Sequence, residues 1–326
     1  MRISVIVCTY NRAETLRRAL ESVAAQTLSG SLEWEVLVVD NNSRDHTREV
    51  VQDICRRNPR QFRYVFEANQ GLNYARNSGV REARGDVLAF MDDDVTVEPG
   101  WLDNLTAPLR NGEWAGSGGM TLPLGTFTLP RWLAPDGPFN MLGVVCAYFN
   151  LGDKACELEE PPYGTNMAFR KPMFEKYGGF RTDLDRCGGD TMSNGDTEFG
   201  RRLMNAGERL RYEPSAVVRH PVPEARVTKE YFLKWWFDYG RGIVRGWERK
   251  PAVLGIPRPY FNILRLGTVV IAQKIGRWTL SLNPQQRFYN KCRVWLTAGQ
   301  IKEYYRLARG AQDKAIHSIP EPRASG

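Results

Sequence analysis

Asp86-Val87-Leu88-Ala89-Phe90-Met91-Asp92-Asp93-Asp94 decides how the rest of the chain is read. The apolar run from Val87 to Met91 is that of a strand inside a sheet. Three adjacent carboxylates follow it, and they repel one another unless a positive charge neutralises them. A divalent cation holding a diphosphate meets that need, because hard cations prefer carboxylate oxygens and bridge to phosphate. A solvated acidic turn at the strand end explains the tripeptide equally well by itself. The flanking sequence separates the two.

Upstream, strand and helix patterns alternate. Strands are predicted at 2–7, 34–39 and 62–66, and helices at 13–25, 47–57 and 73–83, with Leu16, Ala19, Leu20 and Val23 on one face of the first helix. Strands separated by helices of this length predict right-handed crossovers and a mostly parallel α/β sheet flanked by helices. Ligands of such sheets bind beyond the carboxyl ends of the strands. Thr9, Asp40 and Asp92–Asp94 all fall there, so three separate strand ends converge on one crevice. No GxGxxG or P-loop follows the first strand, which disfavours a Rossmann dinucleotide domain. The segment 112–162 is rich in Gly and Pro and shows no useful period. Helices are predicted at 229–249 and 284–308.

Composition sets outer limits. The 326 residues suit one large core, or a core with an appendage. No run of about 18 uncharged apolar residues exists, and the best stretch, 263–282, is interrupted by Arg265, Lys274 and Arg277. The N-terminal apolar run, 3–7, is too short for a signal peptide. Six scattered cysteines without a CxxC pair predict reduced thiols in a cytoplasmic setting, and neither a zinc site nor a disulfide framework. The net charge of +8 is uneven: residues 229–310 hold 16 Lys/Arg against 4 Asp/Glu and five of the nine tryptophans. Basic residues interleaved with Trp and Tyr suit an anionic membrane surface at the inner face of the cell membrane. The ordinary alternative is a helical subdomain with a solvated basic face. No nucleic-acid recognition motif is present, and no nucleic-acid partner is expected. The expected organisation is a nucleotide-binding and catalytic domain at 1–228, a helical, basic, aromatic appendage at 229–310, and a mobile tail at 311–326.

Six motifs in order carry a family resemblance: Val5-Ile6-Val7-Cys8-Thr9-Tyr10-Asn11-Arg12, Val38-Val39-Asp40-Asn41-Asn42-Ser43, Asn69-Gln70-Gly71-Leu72-Asn73-Tyr74-Ala75-Arg76-Asn77, Phe90-Met91-Asp92-Asp93-Asp94, Gly164-Thr165-Asn166-Met167-Ala168-Phe169-Arg170 and Gly195-Asp196-Thr197-Glu198-Phe199-Gly200-Arg201-Arg202-Leu203. Together they resemble glycosyltransferase family 2 over roughly residues 1–220. The resemblance implies a GT-A fold, a nucleotide-sugar donor (most readily a UDP-sugar), a divalent metal (Mn2+ or Mg2+), inversion at the anomeric carbon, and a glycan or lipid-linked acceptor.

Carried onto this sequence, it places nucleotide contacts at Thr9, Tyr10, Arg12, Asp40 and Arg76, ribose contact at Asp92 or Asp93, and metal ligation at Asp94. His220, after a predicted strand, is a candidate second ligand. Gly164, Thr165 and Asn166 are expected near the donor sugar, the glycine allowing close backbone approach. Asp196 is the expected base that deprotonates the acceptor hydroxyl; Asp190, six residues upstream, is the fallback. Gly195 stands where the family usually has Glu. Each residue also has an ordinary structural reading: an Asx turn or helix cap for Asp40, a surface salt bridge for Arg76, a satisfied core residue for His220, and the N-cap of a 197–206 helix for Asp196. Two other functions compete. A nucleotidyltransferase would want a Gly-rich basic loop after the first strand, where Cys8-Thr9-Tyr10-Asn11-Arg12 stands instead. A non-catalytic sugar-nucleotide or membrane scaffold would have no use for Asp196 and the triple Asp.

Overall fold

The computed structural model describes residues 1–29, 32–184, 194–246, 252–253 and 256–309. Strand β1 (Arg2–Thr9) lies inside the sheet because both its faces are apolar. Ile3, Val5 and Val7 enter one buried cluster, and Ile6 and Cys8 enter another on the opposite side, as the two-residue period of a strand requires. Helix α1 (Ala13–Ala24) covers the first side with Ala13, Leu16, Ala19, Leu20 and Val23. The alternation continues through β2 (Glu33–Asp40), α2 (Thr47–Arg57), β3 (Phe62–Phe66), α3 (Leu72–Glu82) and β4 (Val87–Asp92). These strands pair in parallel, in the order β3-β2-β1-β4. The expected elements are thus present, with β1 and β2 each running on to the polar residue at its carboxyl end.

Beyond β4 the sheet becomes mixed. The short β5 (Thr96–Val97) and α4 (Trp101–Thr106) precede β6 (Gly116–Leu124), α5 (Leu142–Cys146), β7 (Cys156–Glu157), β8 (Asn166–Arg170), α6 (Pro172–Tyr177), α7 (Gly195–Asn205) and β9 (Leu210–Pro221). β8 pairs antiparallel with both β4 and β6, and β6 pairs parallel with β9. Trp101, Leu102 and Leu105 of α4 join the core under α1, while Phe174 of α6 and Phe199 of α7 fill the other side. Phe174 and Phe199 stack at 4.5 Å and 8°. That stack braces α7 at Phe199, one turn beyond Asp196.

The C-terminal region is helical. α8 (Lys229–Gly246) and α11 (Pro284–Ala308) pack together; between them α9 (Arg258–Arg265), a π-turn at Leu266–Val270 and α10 (Ile271–Leu280) run along α11. α11 starts at the expected residue, and a cap holds that start: Asn283 accepts from the amides of Gln285 and Gln286, with proline at the first helical position. A third core joins this region to the middle of the chain. Leu133, Met141 and α5 are buried with Phe232, Phe288 and Cys292, and the Trp132 ring lies edge-on to Phe232 and Phe288 at 5.1 and 4.6 Å. The boundary expected at 228 therefore runs through a shared core. Trp235 and Trp236, read from composition as rings for a membrane surface, pack half-buried against it. The five cysteines described are free thiols. No helix among the described residues is long and apolar enough to cross a membrane. Cys187, Asp190, Trp247 and the 311–326 tail lie outside the described residues.

Candidate active site

A cavity of about 740 Å³ opens beyond the carboxyl ends of β1 and β4, where the parallel half of the sheet was expected to bind ligand. Asp92 closes β4, and Asp93 and Asp94 follow it at once. His220 lies within β9, next to its last residue, rather than after a strand. The register brings it to the acidic turn: one ligand atom each from Asp92, Asp94 and His220 lies within 4.8 Å of the others. His220 Nε2 is 3.8 Å from Asp94 Oδ1. That oxygen is buried with no hydrogen-bond partner. His220 Nδ1 lies 2.7 Å from the Pro221 carbonyl, which can only accept. Nδ1 therefore donates to that carbonyl, and Nε2 is the ring nitrogen left facing the carboxylates. An imidazole nitrogen and carboxylate oxygens around an orphaned buried oxygen fit a divalent cation. Asp92, read as a ribose contact, is placed as a third member of this group.

Arg12 follows Asn11, which turns the chain at a φ of 51°. Its Nη1 donates to Asp93 Oδ1 at 3.1 Å and to Asp94 Oδ2 at 2.6 Å. Burial pushes the Asp93 carboxyl up to about 7, although Arg12 opposes the shift; neighbouring Asp94 adds to it. Burial would raise Asp94 too, but the charges of His220 and Arg12 outweigh it and hold its carboxyl below the usual range. The turn thus holds two carboxyls of opposite tendency.

Thr9, Tyr10, Arg12, Asn41 and Arg76 line the same cavity. Arg76 is buried on α3, not on the surface; it donates to Asn73 Oδ1 at 3.2 Å and lies over the Phe180 ring. Asp40 is not brought to the cavity. Its Oδ1 accepts from the Ser43 amide at 2.9 Å and its Oδ2 from the Tyr64 hydroxyl at 2.8 Å, the turn arrangement open from sequence. Its neighbour Asn41 lines the cavity instead. The Asn41 side chain donates to the carbonyls of Glu67 and Asn69 and accepts from the Gly71 amide, and so shapes the loop before α3. In a single sequence an Asn in Asp-Asn-Asn-Ser reads as turn-former, and nothing local points to partners 26 to 30 residues on.

Asp196 lies in the first turn of α7, with Asn194 at the cap, so the helix begins earlier than the 197–206 reading. Asp196 Oδ2 accepts from the Gly164 amide at 2.6 Å and Oδ1 from the Thr197 amide at 2.8 Å. A β-carbon on Gly164 would strike the Arg76 guanidinium and the Asp196 carboxylate, so the glycine lets both groups close over its backbone. The departure at Gly195 has a similar cause: a side chain there would collide with Asn73. Thr165 lines the cavity with its hydroxyl buried and without a partner. Asn166 is turned into the sheet instead, donating to the carbonyls of Met120 and Ala216 and accepting from the Trp101 indole. Glu160, Tyr163 and three aromatic residues of α8 complete the wall on the Asp196 side, and sequence reasoning singled out none of them as site residues.

The comparisons agree with this geometry. Residues 4–178 match the family model described as Glycosyl transferase family 2. The chain is 31% identical over 255 residues to a glucosyl-dolichyl phosphate glucuronosyltransferase of Haloferax volcanii, covering 75% of this chain and 77% of that protein. It is 30% identical over 243 residues to the succinoglycan biosynthesis protein ExoM of Rhizobium meliloti, covering 74% of each. Among solved structures, the mannosyltransferase PcManGT of Pyrobaculum calidifontis, in complex with GDP-Man and Mn2+, aligns over 98% of this chain and 76% of its own, with a TM-score of 0.54 at 19% identity. Such identity speaks for the fold, and the fold is GT-A. With the acidic turn, the cavity and the family match in agreement, the chain belongs to glycosyl transferase family 2 and is a glycosyltransferase.

Proposed function

We propose that the chain transfers a sugar, with inversion, from a UDP-sugar to a hydroxyl of a glycan or lipid-linked acceptor. The observation that supports this best is the convergence of the Asp92–Asp94–His220 group and Asp196 in one cavity. In this reading Thr9, Tyr10, Arg12, Arg76 and Asp93 bind and orient the nucleotide, and Thr165 meets the donor sugar. Asp92, Asp94 and His220 hold Mn2+ or Mg2+, which when bound neutralises diphosphate charge and favours its departure. The Gly164 amide fixes Asp196 through Oδ2, and Asp196 takes the proton of the acceptor hydroxyl as that oxygen attacks. The name of the Haloferax relative, which specifies a glucosyl-dolichyl phosphate substrate, supports a lipid-linked acceptor.

A peripheral position at the inner face of the cell membrane goes with such an acceptor. The outer side of the α9–α10 stretch exposes Leu264 and Val269, ending in Leu280 and Leu282 at 82% and 97% exposure, beside the exposed Arg265 and Arg277. Apolar side chains among arginines complement an anionic lipid surface. Flotation should recover the protein with anionic liposomes, and Leu280→Asp with Leu282→Asp should abolish it; absence of flotation in the unmodified protein would remove this part of the reading.

The catalytic proposal is tested by incubating the protein with Mn2+ and a panel of nucleotide sugars. Release of UDP from one of them is expected, with the product anomer opposite to that of the donor by NMR. No release from any donor, together with no calorimetric binding of UDP and Mn2+, would refute it.

A further inference from the structure

Tyr231, Trp235 and Tyr239 recur every four residues along α8 and so share one helical stripe. All three are half-buried, and all three line the cavity that contains Asp196. Trp235 and Tyr239 stack at 5.0 Å and 19°. Tyr163, the residue before Gly164, lines the same cavity and is held edge-on to Phe149 at 5.6 Å. Glu160, Tyr163, Asp196 and Tyr239 all line this one cavity, and burial together with the two carboxylates pushes both tyrosines upward. Burial, then Tyr239 and those carboxylates, push Tyr163 up to about 12, so its hydroxyl remains a donor at neutral pH.

We propose that Tyr163, Trp235 and Tyr239 form a subsite for an uncharged pyranose ring of the acceptor, beside Asp196. This rests on the reading of Asp196 as the base given above. A pyranose has an apolar C–H face and a rim of hydroxyls. Aromatic carbon opposes the first, while the Tyr hydroxyls and the Glu160 carboxylate suit the second. The same cavity holds Asp196 and the metal group, so a ring held against these aromatics has its hydroxyl within the space that the base and the donor share. α8 then belongs to the catalytic cavity and selects the acceptor, beyond any role in anchoring.

The test is saturation-transfer NMR on the full chain with UDP and Mn2+, using methyl glucoside, methyl galactoside and methyl mannoside as probes and sorbitol, an acyclic polyol, as the control. Transfer to the ring protons of at least one glycoside, and none to sorbitol, is expected. Trp235→Ala and Tyr239→Ala should each weaken that glycoside's binding by about tenfold, while Tyr239→Phe retains most of it. UDP and Mn2+ affinities, measured by calorimetry on the same variants, should be unchanged. Because Trp235 also packs against the third core, the Tyr239 pair decides the matter if Trp235→Ala fails to fold. Glycoside signals absent from the unmodified protein, or equal in all folded variants, would overturn the subsite while leaving nucleotide binding intact. Loss of UDP and Mn2+ binding in the unmodified protein would instead overturn the catalytic reading.

Discussion

At His220 a single hydrogen bond decides what the ring can do. With Nδ1 committed to the Pro221 carbonyl, Nε2 is the one ring nitrogen left for a proton or a metal, and it faces an orphaned oxygen of Asp94. Asp94→Asn should therefore lower Mn2+ affinity by about 10–100-fold, measured by calorimetry or by the loss of free-Mn2+ EPR signal. Asp196→Asn should lower kcat by about 10²–10⁴ through loss of the base while UDP affinity holds; equal loss of nucleotide binding in both variants would contradict the division of roles. The carboxylates were legible in the sequence because charge at the end of an apolar strand has few uses. Asp40 and Asn41 were not separable, since both suit a turn and only the fold shows which one faces the cavity. Asn166 followed the same logic: its motif is legible, but its three partners come from α4, β6 and β9 and turn it inward.

Among elements, the N-terminal strands and helices were legible because each buries a regular stripe, and α11 spans the 284–308 range read from the sequence. β6 was not. Gly116-Ser117-Gly118-Gly119-Met120-Thr121-Leu122-Pro123-Leu124 carries the residues that punctuate loops, and it is a strand only because β8 and β9 lie on either side of it. The α8–α11 pair depends on a charge cluster equally hidden from periodicity. Glu303 is fully buried, bonded to Arg245 and Arg306 and within ion-pair reach of Arg241. Burial alone would raise its carboxyl, but the two bonded arginines outweigh that and lower it from its ordinary 4.5. A depressed folded value means that the contribution to stability is complete above about 4.5 and is lost as pH falls through the folded value. Glu303→Gln, which strands the arginines, should cost about 3–5 kcal/mol near neutral pH. The gap in Tm between the two proteins should narrow on acidification below pH 4.5; a constant gap would show that charge is not the cause.

On the scale of the whole molecule, the catalytic half and the helical region share both a core and a cavity wall. A chain ending at residue 228 would uncover Leu133, Met141 and α5, whose partners Phe232, Phe288 and Cys292 lie beyond the cut. Removing two large aromatic residues from a core costs about 3–5 kcal/mol each, enough to lose most of an ordinary domain's stability. The truncated chain should aggregate or melt well below the full chain by calorimetry, and a soluble truncation of equal Tm would show the two parts to be independent. Sequence composition suggested an appendage because charge and tryptophan change abruptly near residue 229; it did not show that the residues before that point had left their own apolar surface uncovered.

The grip of Arg12 on Asp93 and Asp94 bears on how this enzyme survives without its ion. The crowded aspartates already own a resident counter-charge, so chelation exposes no naked anionic knot, and EDTA should move Tm by less than about 2 °C. Loading leaves that contact standing, because the guanidinium holds Asp94 through Oδ2 while Oδ1 stays open toward His220. Arg12→Leu removes a competing positive charge, so the chain should melt earlier when stripped and take up Mn2+ more avidly.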